Sequence, residues 1–370
     1  MSTKKIKALF VIPSVKSGGI ENYLLRFLKY IKNSMDVVVL VRSKNKGELF
    51  EDYQNTGARL VFHPLGNFNL SSMIWCYYFL KGNQFDVVCD FNANFAGQTM
   101  VISKFAGIKK RITFYRQSSH LFRNPTKLRI AYSNFLNRLV YKYSTDIFSN
   151  SATGLKFFFK NEHTTDRRFE VIKNGIEIEE YLVTPQDNKE QLRQKLGLPT
   201  DKFLIGHTGR FTEAKNQYFL LDVAKKIIDI DRNVYFVLVG NNTDKLIPYI
   251  EKLQISNNVQ VLGYKRNIPE YLKAFDLYFF PSITEGQPNA LIESMVTGLP
   301  VVTSNIDAIV ECLPKDCIDC LIDPYDVAST VQIINIARKN SHAFIFRDHA
   351  VNTFDSSFQF KKFKDKLSDC

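Results

Sequence analysis

Pro281-Ser-Ile-Thr-Glu285-Gly286-Gln287-Pro288-Asn289-Ala290-Leu291-Ile-Glu293-Ser-Met-Val-Thr-Gly298-Leu-Pro300-Val-Val-Thr-Ser304 decides how the rest of this sequence is read. It reads as strand end, loop, helix, turn and strand. The apolar run 277–280 before it, stopped by Pro281, has the length and character of a buried strand. Pro288 suits the first helical position, where its missing N–H would have no partner anyway. Gly298 and Pro300 close the helix, and Val301 opens the next strand. Glu285 then lies on a loop beside the helix start, and Glu293 little more than a turn inside. The N–H groups of Asn289, Ala290 and Leu291 point into the same space. A helix start offers partial positive charge and spare donors, which suit a phosphate. Two carboxylates beside such a seat cannot both touch the phosphate. They suit hydroxyls, such as those of a sugar and a ribose. Two glutamates eight residues apart could also be solvated helix carboxylates, but the Pro-Ser, Glu-Gly and Gly-x-Pro surroundings argue against that.

Working back from this stretch, a strand over 203–208 runs into Gly209-Arg210 and then Lys215-Asn216. Gly209 gives backbone access, and the five-residue spacing lets two cations wrap one ligand, Arg as a fork of donors and Lys as a point charge. Further strands at 234–239 and 259–262 end at Gly240-Asn241 and Gly263-Tyr264. Glu285-x7-Glu293 followed by Gly298-x-Pro300-Val-Val resembles the signature of retaining glycosyltransferases of family 4, which have the GT-B fold. The resemblance implies two Rossmann-like, doubly wound α/β domains facing across a cleft, with the last helix returning to the first domain. It implies that Gly209, Arg210 and Lys215 belong to the clamp on the donor diphosphate. Glu285, with Gly286, would then hold the transferred sugar, and Glu293 the ribose. The loop near Tyr264 resembles the one that holds the base, and Gly240 ends a neighbouring strand on the donor side. The sequence departs from the commonest pattern at Gln287-Pro288, Ser294 and Asp307. None of these removes a charge the chemistry needs, but Pro288 removes one phosphate-binding N–H.

In the first half, a strand at 8–12, the loop Pro13 to Gly19 and a helix from Ile20 make a βαβ unit with a Gly-rich turn at a strand's carboxyl end. It lacks the Gly-x-Gly-x-x-Gly dinucleotide fingerprint. Gly18-Gly19-x-Glu21 is similar to the family's first-loop motif, which approaches donor phosphate or acceptor. The loop Tyr115 to His120 follows a strand; in the family a histidine on it faces the reacting sugar, and the register leaves both Arg116 and His120 open for that place. Val171 to Ile176 resembles the lead into the linker, and the charged run 177–200 reads as the crossing. The domains expected are therefore 1–176 for the acceptor, 177–345 for the nucleotide sugar, and a helical segment 346–370 packing back on the first.

The 370 residues suit two domains, carry a net charge of +12, and contain no apolar run near the roughly 20 residues of a membrane span. The lysines before the first strand raise a signal peptide, but Pro13 breaks a run only as long as a strand, so a cytoplasmic protein is expected. From Phe91 to Thr145 there is no acidic residue, while Lys104, Lys109, Lys110, Arg111, Arg116, Arg123, Lys127, Arg129, Arg138 and Lys142 are mixed with Phe and Tyr. Such a surface attracts nucleic acid or anionic lipid. Cys317-x2-Cys320 has metal-ligand spacing without an evident fourth ligand, and reduced thiols are the reading adopted. Asp229-x-Asp231 precedes its strand and is rejected as a metal pair. Altogether the resemblance implies a metal-independent, cofactor-free hexosyltransferase using a UDP-hexose or UDP-N-acetylhexosamine. Its acceptor would be a lipid-linked saccharide for capsule, exopolysaccharide or O-antigen, at the inner face of the cytoplasmic membrane, with no nucleic-acid partner. A same-fold sugar-nucleotide epimerase and a basic nucleic-acid binder are the rival readings.

Overall fold

Parallel strands covered on both faces must carry apolar side chains in both directions, and the buried runs of this chain do so in two separate sets. The computed structural model describes residues 5–32, 34–65, 69–117, 126–160, 165–315 and 317–369. The first set is β1 (Lys7–Ile12), β2 (Asp36–Val41), β3 (Arg59–Phe62), β4 (Val87–Asp90), β5 (Lys110–Tyr115), β6 (Asp146–Ser149) and β7 (Phe169–Val171). They form one parallel sheet in the order β3-β2-β1-β4-β5-β6-β7. The second set is β8 (Phe203–Thr208), β9 (Val234–Val239), β10 (Val259–Val261), β11 (Leu277–Phe280), β12 (Val301–Ser304) and β13 (Leu321–Ile322), ordered β10-β9-β8-β11-β12-β13 and again parallel. These are the two doubly wound, Rossmann-like α/β units that the sequence leads one to expect. In each, the strand order turns back beside the first strand, between β1 and β4 and between β8 and β11. Open parallel sheets bind ligands at the carboxyl ends of the strands flanking such a reversal.

In the first unit, alternate residues of β1 face opposite layers. Phe10 and Ile12 pack with Tyr23, Leu24 and Phe27 of the helix Gly19–Tyr30. Leu9 and Val11 pack with Cys76 and Leu80 of the helix Leu70–Asn83 and with Met100. The second core is built on Leu204, Val237, Phe279 and Val302 with apolar faces of the helices Gln217–Ile230 and Asn289–Thr297.

Residues up to Gly175, together with those from Ser356 onward, form the first unit, and Ile176–Asp355 the second. The first crossing thus falls one residue before the expected 176/177. The expected linker 177–200 is part of the second unit: its helix Lys189–Leu196 is pinned by Arg193, whose guanidinium pairs with Asp276 at 2.5 Å and donates to the Ala274 carbonyl at 2.9 Å. The return lies at 355/356, not 345/346. Ala350 and Phe354, on the helix Arg347–Phe354, are buried in the second core, whereas Phe360, Phe363 and Leu367 of the helix Ser356–Ser368 are buried in the first. The two crossings adjoin, because the Ile176 N–H donates to the Phe354 carbonyl at 2.8 Å.

Candidate active site

The carboxyl end of the second sheet gathers four loops, and backbone hydrogen bonds lock them to one another. After β8, Gly209 and Phe211 donate to the carbonyls of Val239 and Asn241 at 2.8 Å each. After β9, Gly240 donates to the Gly263 carbonyl at 2.8 Å, which ties in the loop after β10. After β11, Ile283 donates to the Ala214 carbonyl at 2.9 Å, joining the two loops that flank the reversal. Gly240 has φ +156, and a Cβ there would lie 2.1 Å from the Gly209 carbonyl oxygen. Only glycine permits that approach.

This framework sets Lys215 against Glu285, seventy residues on, with Nζ 2.6 Å from Oε1 and both side chains largely buried. The same ammonium lies 4.7 Å from the centre of the Phe280 ring. Arg210 is exposed on the same loop. The helix runs Asn289–Thr297, so Pro288 is its N-cap and not its first residue: the Pro288 carbonyl accepts the Ile292 N–H at 3.1 Å. Asn289, Ala290 and Leu291 therefore head the helix before its first internal bond. Gly298 ends it at φ +83, the left-handed position that glycine favours. Gly286 and Glu293 are half-buried, and Leu291 turns its side chain fully into the core. Both carboxylates act on Tyr278, whose hydroxyl is held well above the ordinary phenol range, first by burial and further by Glu293 and Glu285. Gly240 sits beside Gly209, and Tyr264 is exposed just beyond Gly263.

Sequence reading missed the support beneath the cation loop. His207 is buried; its Nδ1 lies 3.0 Å from the Phe279 carbonyl, and burial pushes its pKa down to about 4. Its other nitrogen is 3.5 Å from Gln217 Nε2, which donates to the Arg210 carbonyl at 3.1 Å. Thr208 Oγ1 and the Tyr278 hydroxyl are 2.8 Å apart. Within an apolar strand pattern these residues look like core, so no local signal marks them.

The first-unit candidates are arranged differently. Gly18 caps the helix Gly19–Tyr30 in an extended conformation, and a side chain at Gly19 would meet open space. Glu21 is buried and accepts from Ser14 Oγ at 2.7 Å, bracing the loop after β1. The Arg116 guanidinium lies 3.7 Å over the Tyr23 ring and donates to Asn174 Oδ1, while burial lowers its pKa to about 10. Arg116 and Glu21 thus meet around Tyr23 near the carboxyl ends of β1 and β5. His120 lies outside the described residues. Asp229 and Asp231 each pair with a cation, Lys225 and Arg338.

The glycosyl transferases group 1 family matches residues 188–350, which is the second unit almost entire. The second unit is thus similar to the group 1 glycosyltransferases along almost all of its length. Two relatives are similar along the whole chain. An Escherichia coli UDP-Gal:alpha-D-GlcNAc-diphosphoundecaprenol alpha-1,3-galactosyltransferase is 28% identical over 99% of this chain and 97% of its own length. The Staphylococcus aureus capsular polysaccharide biosynthesis glycosyltransferase CapH is 26% identical over 97% of this chain and 98% of its own. The crystal structure of Anabaena HepE in complex with UDP and glucose matches at TM-score 0.80 and 22% identity, covering 99% of this chain and 100% of HepE. The chain therefore has the fold of the GT-B glycosyltransferases, two Rossmann-like domains.

Proposed function

We propose that this glycosyltransferase moves a hexosyl or N-acetylhexosaminyl group from a UDP-sugar to a lipid-linked saccharide, with retention and without a bound metal. The observation that carries the reading is the Lys215–Glu285 pair at the β8/β11 reversal, beside the start of the helix Asn289–Thr297. Charge grows on the departing diphosphate, so stabilising it is the main catalytic task. Arg210, Lys215 and the N–H groups at the helix start supply the positive charge. The bare glycines 209, 240 and 286 let the backbone come close to the donor. When the diphosphate enters, Lys215 leaves Glu285 for it, and the freed carboxylate accepts from a hydroxyl of the sugar. Glu293 holds the ribose, and Tyr264 stands where a base would lie. Gly18, Gly19 and Glu21 form the loop that meets acceptor or donor phosphate, and either Arg116 or His120 faces the reacting sugar.

The named activity of the E. coli relative supports both the UDP donor and a diphosphoprenyl-linked acceptor. The relatives do not favour the epimerase or nucleic-acid readings. A lipid-borne acceptor places the work at a membrane surface, and a helical layer on the first unit suits anionic lipid. Leu70, Ile74 and Tyr78 are exposed at four-residue intervals along one helix. Phe105, Leu128 and Phe135 are exposed on the helices Gly97–Phe105 and Lys127–Tyr143, among the exposed Lys104, Lys127, Arg138 and Lys142. No described helix is long and apolar enough to cross a membrane.

Thermal stabilisation by a panel of nucleotide sugars, followed by turnover on a prenyl-diphosphate saccharide, tests the reading. The anomeric configuration of the product is read by NMR. A UDP-hexose that raises Tm and gives product of unchanged configuration supports it. An inverted product, or donor converted without acceptor, overturns it.

A further inference from the structure

Cys317 and Cys320 are not used by the chemistry above, yet their thiols lie side by side. Their sulfurs are 2.8 Å apart, less than about 1 Å beyond a covalent S–S bond. The turn holding them is fixed by backbone bonds from Cys317 N–H to the Pro314 carbonyl, 3.1 Å, and from Leu321 N–H to the Ile318 carbonyl, 3.0 Å. Cys320 is sealed from solvent and anchored, since its carbonyl accepts the Thr303 N–H of β12 at 2.9 Å. Cys317 is half-buried, and so is the member that a reagent can reach. Among the described residues, no group of three or more His, Cys, Asp or Glu could hold a metal there. Cys312, the nearest thiol in sequence, donates to the Ala308 carbonyl at 3.3 Å.

We propose that Cys317 and Cys320 are a redox-active dithiol, a modification site that takes the disulfide of a low-molecular-weight thiol as its oxidant. The hydrogen bond from the Cys320 thiol favours the thiolate at Cys317 and holds the Cys320 proton in place, so the two thiols differ in role. Cys317 thiolate attacks one sulfur of the external disulfide and forms a mixed disulfide, releasing one equivalent of the small thiol. Cys320 then gives up its proton and attacks the Cys317 sulfur, releasing the second equivalent. Two thiols are oxidised to one disulfide, and one external disulfide is reduced to two thiols.

The test equilibrates the full chain against ladders of oxidised and reduced glutathione, quenches with acid, alkylates the remaining thiols and maps them by mass spectrometry. A bridge mapping to 317 and 320 that reverses with reduced glutathione is expected, with Cys76, Cys89 and Cys312 still alkylated. Cys320→Ser is expected to stop at a glutathione adduct on Cys317, and Cys317→Ser to leave Cys320 unmodified. Thiols that stay alkylatable at 317 and 320 across the ladder overturn the proposal. So does an intramolecular bridge mapping to any other pair, or a wild-type Cys317 that ends as a stable adduct beside free Cys320.

Discussion

In the proposed reaction Lys215 and Glu285 are the residues on which the chemistry turns, and they pair with each other at 2.6 Å. That reading needs a cation and an acceptor side by side, and the pair supplies both. Lys215→Ala is expected to lower kcat by roughly a hundred- to a thousandfold, the usual cost of one lost donor to a developing charge, read in steady-state assays at saturating donor. Gly240 acts through its lack of a side chain. Gly240→Ala forces a Cβ onto the Gly209 carbonyl in a conformation that alanine avoids. A loss of at least ~1–3 kcal/mol in urea unfolding is expected, together with weakened UDP binding. His207 makes stability depend on pH. It is neutral when folded, with a pKa near 4, while the unfolded chain takes up the proton near 6.5. Its contribution is therefore intact above about 6.5 and is lost as pH falls toward 4, by up to roughly 3 kcal/mol. Unfolding curves of His207→Gln should be flatter than wild type across that window. That Lys215 and Glu285 could meet was legible in the sequence, because each lies on a loop that follows an apolar strand of the second unit. His207 and Gln217 were not, because their role depends on partners that only the folded sheet supplies.

At the scale of elements, the strands read well because parallel, doubly covered strands are continuous apolar runs with sharp polar ends. The second-sheet strands β8, β9 and β11 begin and end where their Pro, Gly and apolar residues indicate. What failed was the assignment of segments to units. Residues 177–200 look like a linker by charge and turn content, yet Arg193 reaches Asp276, a partner eighty-three positions away that no local pattern reveals. The last two helices follow one another directly but bury their apolar residues in different cores. Phe363 packs against Phe27 at 4.5 Å between ring centres and sits among Phe10, Phe91, Phe114 and Phe148. Phe363→Ala should cost about 3–5 kcal/mol, seen as a drop in Tm of the unfolding step that reports the first unit. An unchanged Tm would mean that this helix is not part of that core.

At the scale of the whole molecule, the +12 charge divides into cations built into the fold and cations left on the surface. Lys110 pairs with Asp146 at 3.2 Å, Arg111 caps backbone carbonyls and Arg116 lies on Tyr23, so these do not belong to a docking surface. Composition could not make that distinction, since it depends on which face each side chain leaves by. Reversing the exposed Lys104, Lys127 and Arg138 to Glu should reduce sedimentation with anionic liposomes at least severalfold, at about 1 kcal/mol per charge, and leave turnover of a soluble acceptor unchanged. Equal sedimentation would remove the proposed membrane face. If one lysine passes from a glutamate to a diphosphate, calorimetric titration of UDP into wild type, Lys215→Ala and Glu285→Ala will separate the two side chains' roles. UDP should bind Lys215→Ala at least tenfold more weakly, and Glu285→Ala as tightly as wild type or tighter, although Glu285→Ala transfers no sugar. UDP affinity unchanged in Lys215→Ala would contradict it.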